Sequence, residues 1–190
     1  KGLSEKRKPS PAIFRETISF ANNSKINIEA SLEIKFPEWV PFVEVFEKIA
    51  TEYQRRKQVA NLLDFDDLLL YWKKLTQDAR AGEMLAKKWD YILVDEYQDT
   101  NVIQAEIIFN LSKQHQNILV VGDDAQSIYS FRAANIQNIL DFPKHFKKCK
   151  THKLETNYRS TPEILDLANQ VIAVNQNQFT KELTAINDSH

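Results

Sequence analysis

Apolar positions along this chain change rhythm partway, from helical spacing in the first half to short unbroken runs in the second. Over 13–21, Ile13, Thr17, Ile18, Phe20 and Ala21 predict a short helix that the polar string NNSK then breaks. Pro37 and Pro41 bracket Trp39, and Phe42, Val45, Phe46, Ile49 and Tyr53 follow on one helical stripe. That pattern predicts an amphipathic helix with Pro41 near its start. In LLDFDDLLLYWKKL, Leu62, Phe65, Leu69 and Trp72 fall on one face while Asp64 and Asp67 share another. A second helix is expected to begin near Asp64, which is placed to cap it. Beyond Trp89, apolar runs at 91–94 and 118–121 and a sparser one at 152–154 alternate with helical stretches at 102–112 and 162–174. Strands apolar on both faces and separated by helices predict an open α/β fold over 89–175, a parallel sheet covered by helices. Residues 1–12 are basic, carry Pro9 and Pro11, and are expected to form a tail.

The chain has 190 residues, room for one domain with or without an appendage. Its 25 Lys+Arg against 26 Asp+Glu give no basic signature, so net charge argues nothing about nucleic acid. A single cysteine, Cys149, cannot make an internal bridge and points to a reducing compartment. No apolar run approaches the roughly 20 residues that span a bilayer, and KGLSEKRKPSP has no signal-peptide core. The three glycines, Gly2, Gly82 and Gly122, form neither GxGxxG nor GxxxxGK[ST].

Ligands of parallel sheets gather at the carboxyl ends of strands, and each expected strand here runs into polar residues. In YILVDEYQDT the strand meets Asp95 and Glu96. One carboxylate there can hold magnesium while its neighbour polarises an attacking water; a plain acidic turn fits the same string. Both acids can serve one site only if the strand stops at them, because successive strand side chains face opposite ways. In NILVVGDDAQSIYSFR, Gln126 can hydrogen-bond a terminal phosphate, and Tyr129 or Phe131 can stack on bases or lie buried under a loop. In KLETNYRSTPEIL, Arg159 sits beside a helix start and can reach a phosphate, Tyr158 can stack on adenine, or the two can form a structural pair.

Taken in order, LLDFDDLLLYW, YILVDEYQDTN, VVGDDAQSIYSFRAANIQNI and LETNYRSTPEIL resemble consecutive motifs of the UvrD/Rep-like superfamily 1 DNA helicases, over 62–177. The strings DEYQDT and NYRS are the most specific. The resemblance implies part of a RecA-like P-loop NTPase parallel sheet with flanking helices, preceded by a mainly helical segment. Residues 1–60 would be part of the helical 1B insertion, 61–178 the distal part of ATP-binding domain 1A, and 179–190 a tail or the start of the next domain. Asp95 and Glu96 would hold magnesium, with Glu96 also the general base for ATP hydrolysis. Gln126 would contact the γ-phosphate and couple it to DNA, Arg159 would stabilise charge on that phosphate, and Tyr158 would stack on the adenine. Tyr129, Phe131 and Arg132 match the segment facing single-stranded DNA, and Asp64 with Asp67 the motif that buttresses that surface.

The implied activity is ATP-driven movement on single-stranded DNA with duplex unwinding, 3′ to 5′. Its partners would be single-stranded and partly duplex DNA, ATP, magnesium and the remaining helicase domains, in the cytoplasm at a bacterial nucleoid and without a membrane. Phe131 stands where relatives often carry Trp, and Ala133-Ala134-Asn135 where they often carry Gly-Ala-Asp. With no phosphate loop in the sequence, the expectation is an internal fragment of a longer helicase, inactive alone. A degenerate helicase-like module that binds DNA or protein is the alternative, and a magnesium-dependent nuclease built on Asp95, Glu96 and Asp99 a more distant one.

Overall fold

Side-chain caps set the start of four of the eight α-helices among the described residues. The structure, a computed structural model, describes residues 8–146 and 148–186. Helix α1 (Pro11–Ser24) starts on proline, so the expected tail is helical from residue 11, while 1–7 lie outside the described residues. It also runs through NNS, past the expected break, and stops at left-handed Lys25. Asn23 explains the extension: its side chain donates to the Ser19 carbonyl, 2.9 Å, and to Asp66 Oδ1, 2.7 Å, so an unfavourable helix residue is held in place. Asn27 caps α2 (Ile28–Lys35) by accepting from the Ala30 N–H. A 3-10 turn, Pro37–Phe42, leads into α3 (Val43–Ala60), as the Pro41 pattern predicts. Leu32, Trp39 and Phe46 form the core of this helical layer, with the Phe14 ring 4.4 Å from that of Phe46.

Asp64 caps α4 (Phe65–Gln77) in a reciprocal box with Asp67. Of the apolar stripe expected there, only Leu69 packs inward. Phe65 is 88% exposed and Leu62 and Trp72 are exposed too, while Leu69 and Leu70 pack on Ile103, Ile107 and Leu111 of α6 (Val102–Ser112). Between them lie α5 (Ala79–Ala86), capped by Asp78, and β1 (Ile92–Val94). Strand β2 (Ile118–Val120) pairs with β1 in parallel, Ile92 opposite Ile118 and Val94 opposite Val120. Helix α7 (Gln137–His145) lays Ile139 and Phe142 against Tyr97, Val94, Ile118 and Val120 on one face of that ladder. The other face carries Leu93 and Leu119, 73% and 55% exposed.

The expected third strand at 152–154 is not there. Thr151, His152 and Lys153 are polar and Leu154 is exposed, so the segment has no apolar face to bury in a parallel sheet. Instead β3 (Thr156–Asn157) pairs in parallel with β4 (Thr184–Ala185) as a separate two-stranded ladder, with α8 (Pro162–Ile172) between them in sequence. Asn169 of α8 clasps the return strand by hydrogen bonds to both backbone groups of Leu183. The described residues therefore form an α/β fold with a helical first third and two short parallel ladders, and none of its helices is long and apolar enough to cross a membrane.

Candidate functional site

The carboxyl ends of β1 and β2 lie side by side, because the two strands run parallel in register. Just past β1, Asp95 and Glu96 are both exposed, and Asp95 Oδ1 accepts the Glu96 N–H at 2.9 Å. Glu96 is left-handed, φ 51° and ψ 40°, and breaks the alternation that would send the two acids to opposite faces. A 3-10 turn, Tyr97–Asp99, follows at once. Two adjacent carboxylates suit magnesium, which keeps most of its waters and takes one or two carboxylates together with phosphate oxygens. Among the described residues no group of three His, Cys, Asp or Glu side chains is arranged to hold a metal, so a cage made wholly of protein is not what this edge offers.

Past β2, Gly122 leads into Asp123 and Asp124. Gln126 donates from Nε2 to Asp123 Oδ2 at 2.8 Å, and the Ala125 N–H donates to Asp123 Oδ1. Lys181 is salt-bridged to Asp123 and reaches Asp124 Oδ1 at 3.2 Å, while the Phe179 N–H donates to Asp124 Oδ2. Burial pushes the Asp123 carboxyl up, but Lys181 and the Gln126 amide outweigh it and leave the group below the usual carboxylate range. For Lys181 burial acts downward, and the two aspartates more than reverse it. Gln126 is thus held at the same edge as Asp95 and Glu96.

Tyr158 and Arg159 stand elsewhere, at the end of β3 in the second ladder, and both are exposed. Asn157 Oδ1 accepts the N–H groups of Arg159 and Ser160, each at 2.8 Å, which turns the chain toward α8. Lys181 and Phe179, on the segment leading into β4, join this ladder to the Asp123–Asp124 corner.

An aromatic patch follows Gln126. The rings of Tyr129 and Phe131 lie 5.8 Å apart at 48°, and the Arg132 guanidinium sits 5.3 Å from one and 5.4 Å from the other. All three are exposed, which a buried structural cluster would not be. Lys35 donates to the Phe131 carbonyl at 3.1 Å, tying α2 to this loop beside a cavity of about 420 Å³ lined by Phe20, Lys35, Phe131 and Asn135 among others. Ala133 closes the turn in the left-handed region, φ 66°. A Cβ there costs about 1 to 2 kcal/mol, partly offset by about 0.8 for burying its methyl. Ala133→Gly is therefore expected to raise Tm by about 2 °C in a thermal melt; an unchanged or lower Tm would refute it.

Asp64, expected on the DNA side, spends its carboxylate internally. Oδ1 accepts the Asp67 N–H at 2.9 Å, and Oδ2 accepts Lys57 Nζ at 2.6 Å and the Tyr53 hydroxyl at 3.0 Å. Asp67 Oδ2 accepts Lys57 at 2.7 Å and the Asp64 N–H at 3.0 Å.

Two residues at the site are not singled out from the sequence, although Gln98 lies within DEYQDT. Gln98 is 1% exposed and touches both strand ends; the only local clue is an amide two residues after an acid. Lys181 meets Asp123 across 58 positions, a separation no local pattern marks.

Comparisons with known proteins place the chain in a family. A sequence model of the UvrD/REP helicase N-terminal domain matches residues 2–147. The chain is 44% identical over 145 residues to a probable DNA helicase II homolog of Rickettsia conorii, covering 76% of this chain and 22% of that protein. It is 37% identical over 193 residues to the ATP-dependent DNA helicase PcrA of Bacillus subtilis, covering 99% of this chain and 26% of the relative. A further PcrA, from Leuconostoc citreum, is 43% identical over 145 residues, covering 75% of this chain and 19% of that helicase. The chain spans about a quarter or less of the length of these relatives.

Proposed function

This chain belongs to the UvrD/REP helicase N-terminal domain family, and from that premise we propose that it is part of the ATP-hydrolysing, DNA-contacting core of a DNA translocase, built on a RecA-like sheet. The observation that carries the proposal is the shared edge of β1 and β2, where Asp95, Glu96 and Gln126 stand together at two strand ends. Magnesium, when bound, neutralises charge on the phosphate oxygens, and Asp95 with Glu96 are the residues of this chain that hold it. Glu96 orients a water toward the γ-phosphorus and takes its proton as the oxygen attacks. The bond from that phosphorus to the β–γ bridging oxygen breaks, and ADP leaves with inorganic phosphate. Gln126 hydrogen-bonds the γ-phosphate, Arg159 offsets charge developing on it, and Tyr158 stacks on adenine.

Since the sequence has no GxxxxGK[ST] loop, the β-phosphate cradle comes from elsewhere in the protein, and this chain alone does not turn over ATP. Movement runs 3′ to 5′ along single-stranded DNA. The reading is tested by single-strand-stimulated ATP hydrolysis by the full protein that carries this chain. Turnover that rises with DNA supports it; none from a folded protein leaves a module that only binds.

The Tyr129–Phe131–Arg132 patch is the DNA face, since exposed rings beside a guanidinium stack on bases of any sequence. Phe131→Ala is expected to weaken single-strand binding by about 5- to 100-fold, equally for different sequences, and Phe131→Trp to preserve it. Arg132→Ala should lower the salt slope by about 0.7. Fluorescence anisotropy across a salt series measures all three, and a Phe131→Ala protein that binds normally refutes the assignment.

A further inference from the structure

Gln98 lies buried between the two strand ends, and both ends of its side-chain amide are engaged. Nε2 donates to Glu96 Oε2 at 2.7 Å, and Oε1 accepts the Asp123 N–H at 3.0 Å. These partners fix the amide's orientation, because a carboxylate needs a donor and an N–H needs an acceptor. Gln98 itself is 1% exposed, so the amide is held among protein groups. The opposite strand makes room for it: a Cβ on Gly122 would lie 2.5 Å from Gln98 Oε1 and 2.8 Å from Ile139 Cδ1. A side chain at 122 would therefore push the Gln98 amide aside, an effect of proximity and not of backbone angles, since no glycine described here has positive φ.

Glu96 needs such a partner. Its side chain is exposed, and its left-handed backbone sets where Cβ points but leaves the torsions beyond Cβ free. A bond to Oε2 removes that freedom and leaves Oε1 for a water. The same amide holds the first N–H of the loop that carries Gln126, whose own Nε2 is on Asp123. One side chain thus links the acid at the end of β1 to the phosphate-sensing loop at the end of β2. We propose that Gln98 is a positioning residue, which orients the Glu96 carboxylate for its work on water and passes displacement of the Gln126 loop to it. This deepens the proposed hydrolase function and rests on it.

The test uses the full protein, with steady-state DNA-stimulated ATP hydrolysis, nucleotide binding and thermal melts. Gln98→Met keeps the volume and loses both bonds; kcat is expected to fall about 10- to 100-fold, the range of a misplaced catalytic group, with KM for ATP within about 2-fold. Gly122→Ala displaces the amide from the other strand and should lower kcat likewise, and the double variant should fall short of the product of the two effects. A fall in kcat at nearly constant KM and unchanged nucleotide affinity is the reading that a packing role would not give.

Glu96→Gln separates the two claims. If it keeps turnover, the underlying hydrolase assignment fails. If it is inactive while Gln98→Met and Gly122→Ala keep wild-type kcat, only the positioning role is overturned. A loss of kcat and ATP affinity together, with a lowered Tm, also overturns it and marks Gln98 as packing alone. Should Gln98→Met fail to fold, Gly122→Ala carries the decision.

Discussion

Glu96→Gln in the full protein is expected to cut DNA-stimulated ATP turnover by about a hundred- to ten-thousand-fold, the span of a lost general base, while ATP binding stays within a few-fold of wild type. The geometry makes this substitution unusually clean. An amide at 96 has the same shape, sits on the same left-handed backbone, and offers a carbonyl oxygen that can still accept from Gln98 Nε2. The turn at 97–99 and the Asp123 loop therefore keep their bonds. What disappears is the lone pair that takes the proton from water. Because residue 96 is exposed, stability should change by no more than about 0.5 kcal/mol. Steady-state turnover beside equilibrium binding of a fluorescent nucleotide separates the two effects. Turnover above about a tenth of wild type would remove Glu96 from the chemistry, and with it the assignment of this edge as the hydrolytic site.

The second large effect is on folding. Asp67→Ala is expected to destabilise the chain by about 3 kcal/mol in urea, because Lys57 is only 8% exposed and loses one of its two carboxylates. The substitution also removes the acceptor for the Asp64 N–H and opens the cap of α4. Lys57→Met should cost a similar amount, since it leaves Asp67, 2% exposed, without its cation. A loss under 1 kcal/mol for Asp67→Ala would mean that Asp64 alone satisfies the lysine.

Acidity adds a direction to that network. Burial pushes the Asp64 carboxyl up, but Lys57, the Asp67 N–H and the Tyr53 hydroxyl outweigh it and hold it below its usual range. Burial lowers the Lys57 ammonium and the two aspartates more than reverse that. A depressed carboxyl stabilises the fold above its unfolded value, and a raised amine below its own. The contribution is thus complete from roughly pH 4 to roughly pH 10. It is lost as pH falls through the lowered value of Asp64 or rises through the raised value of Lys57.

Most of the helices and both strands of the first ladder were legible because their signals are local. Asp64 and Asp67 form their box within one helical turn, 102–112 reads as a helix and is one, and the apolar runs at 91–94 and 118–121 are the paired strands. Where a local signal conflicts with itself, it fails. Gly82 sits inside α5 and Pro143 inside α7, two breakers within helices that tertiary packing keeps. On α4 the stripe in the sequence leaves the contact face open: leucines at 68, 69 and 70 point around the helix, and contact with α6 selects Leu69 and Leu70, which become partly buried.

By itself, then, the sequence determined the order of the motif strings, the strand ends and the caps, because these are written in neighbouring positions, and it marked the residues to which the proposed chemistry is assigned. It also determined the family. Only the tertiary structure decided which polar atoms meet: Gln98 between Glu96 and Asp123, Lys181 on an acid 58 positions away, and Lys57 buried between two aspartates. It alone decided that Thr156–Asn157 pairs with Thr184–Ala185 rather than joining the first ladder. The reason is physical. Periodicity records which side of an element avoids water, whereas a hydrogen bond between distant segments depends on how those segments pack, and a buried donor accepts whichever partner the packing brings within reach.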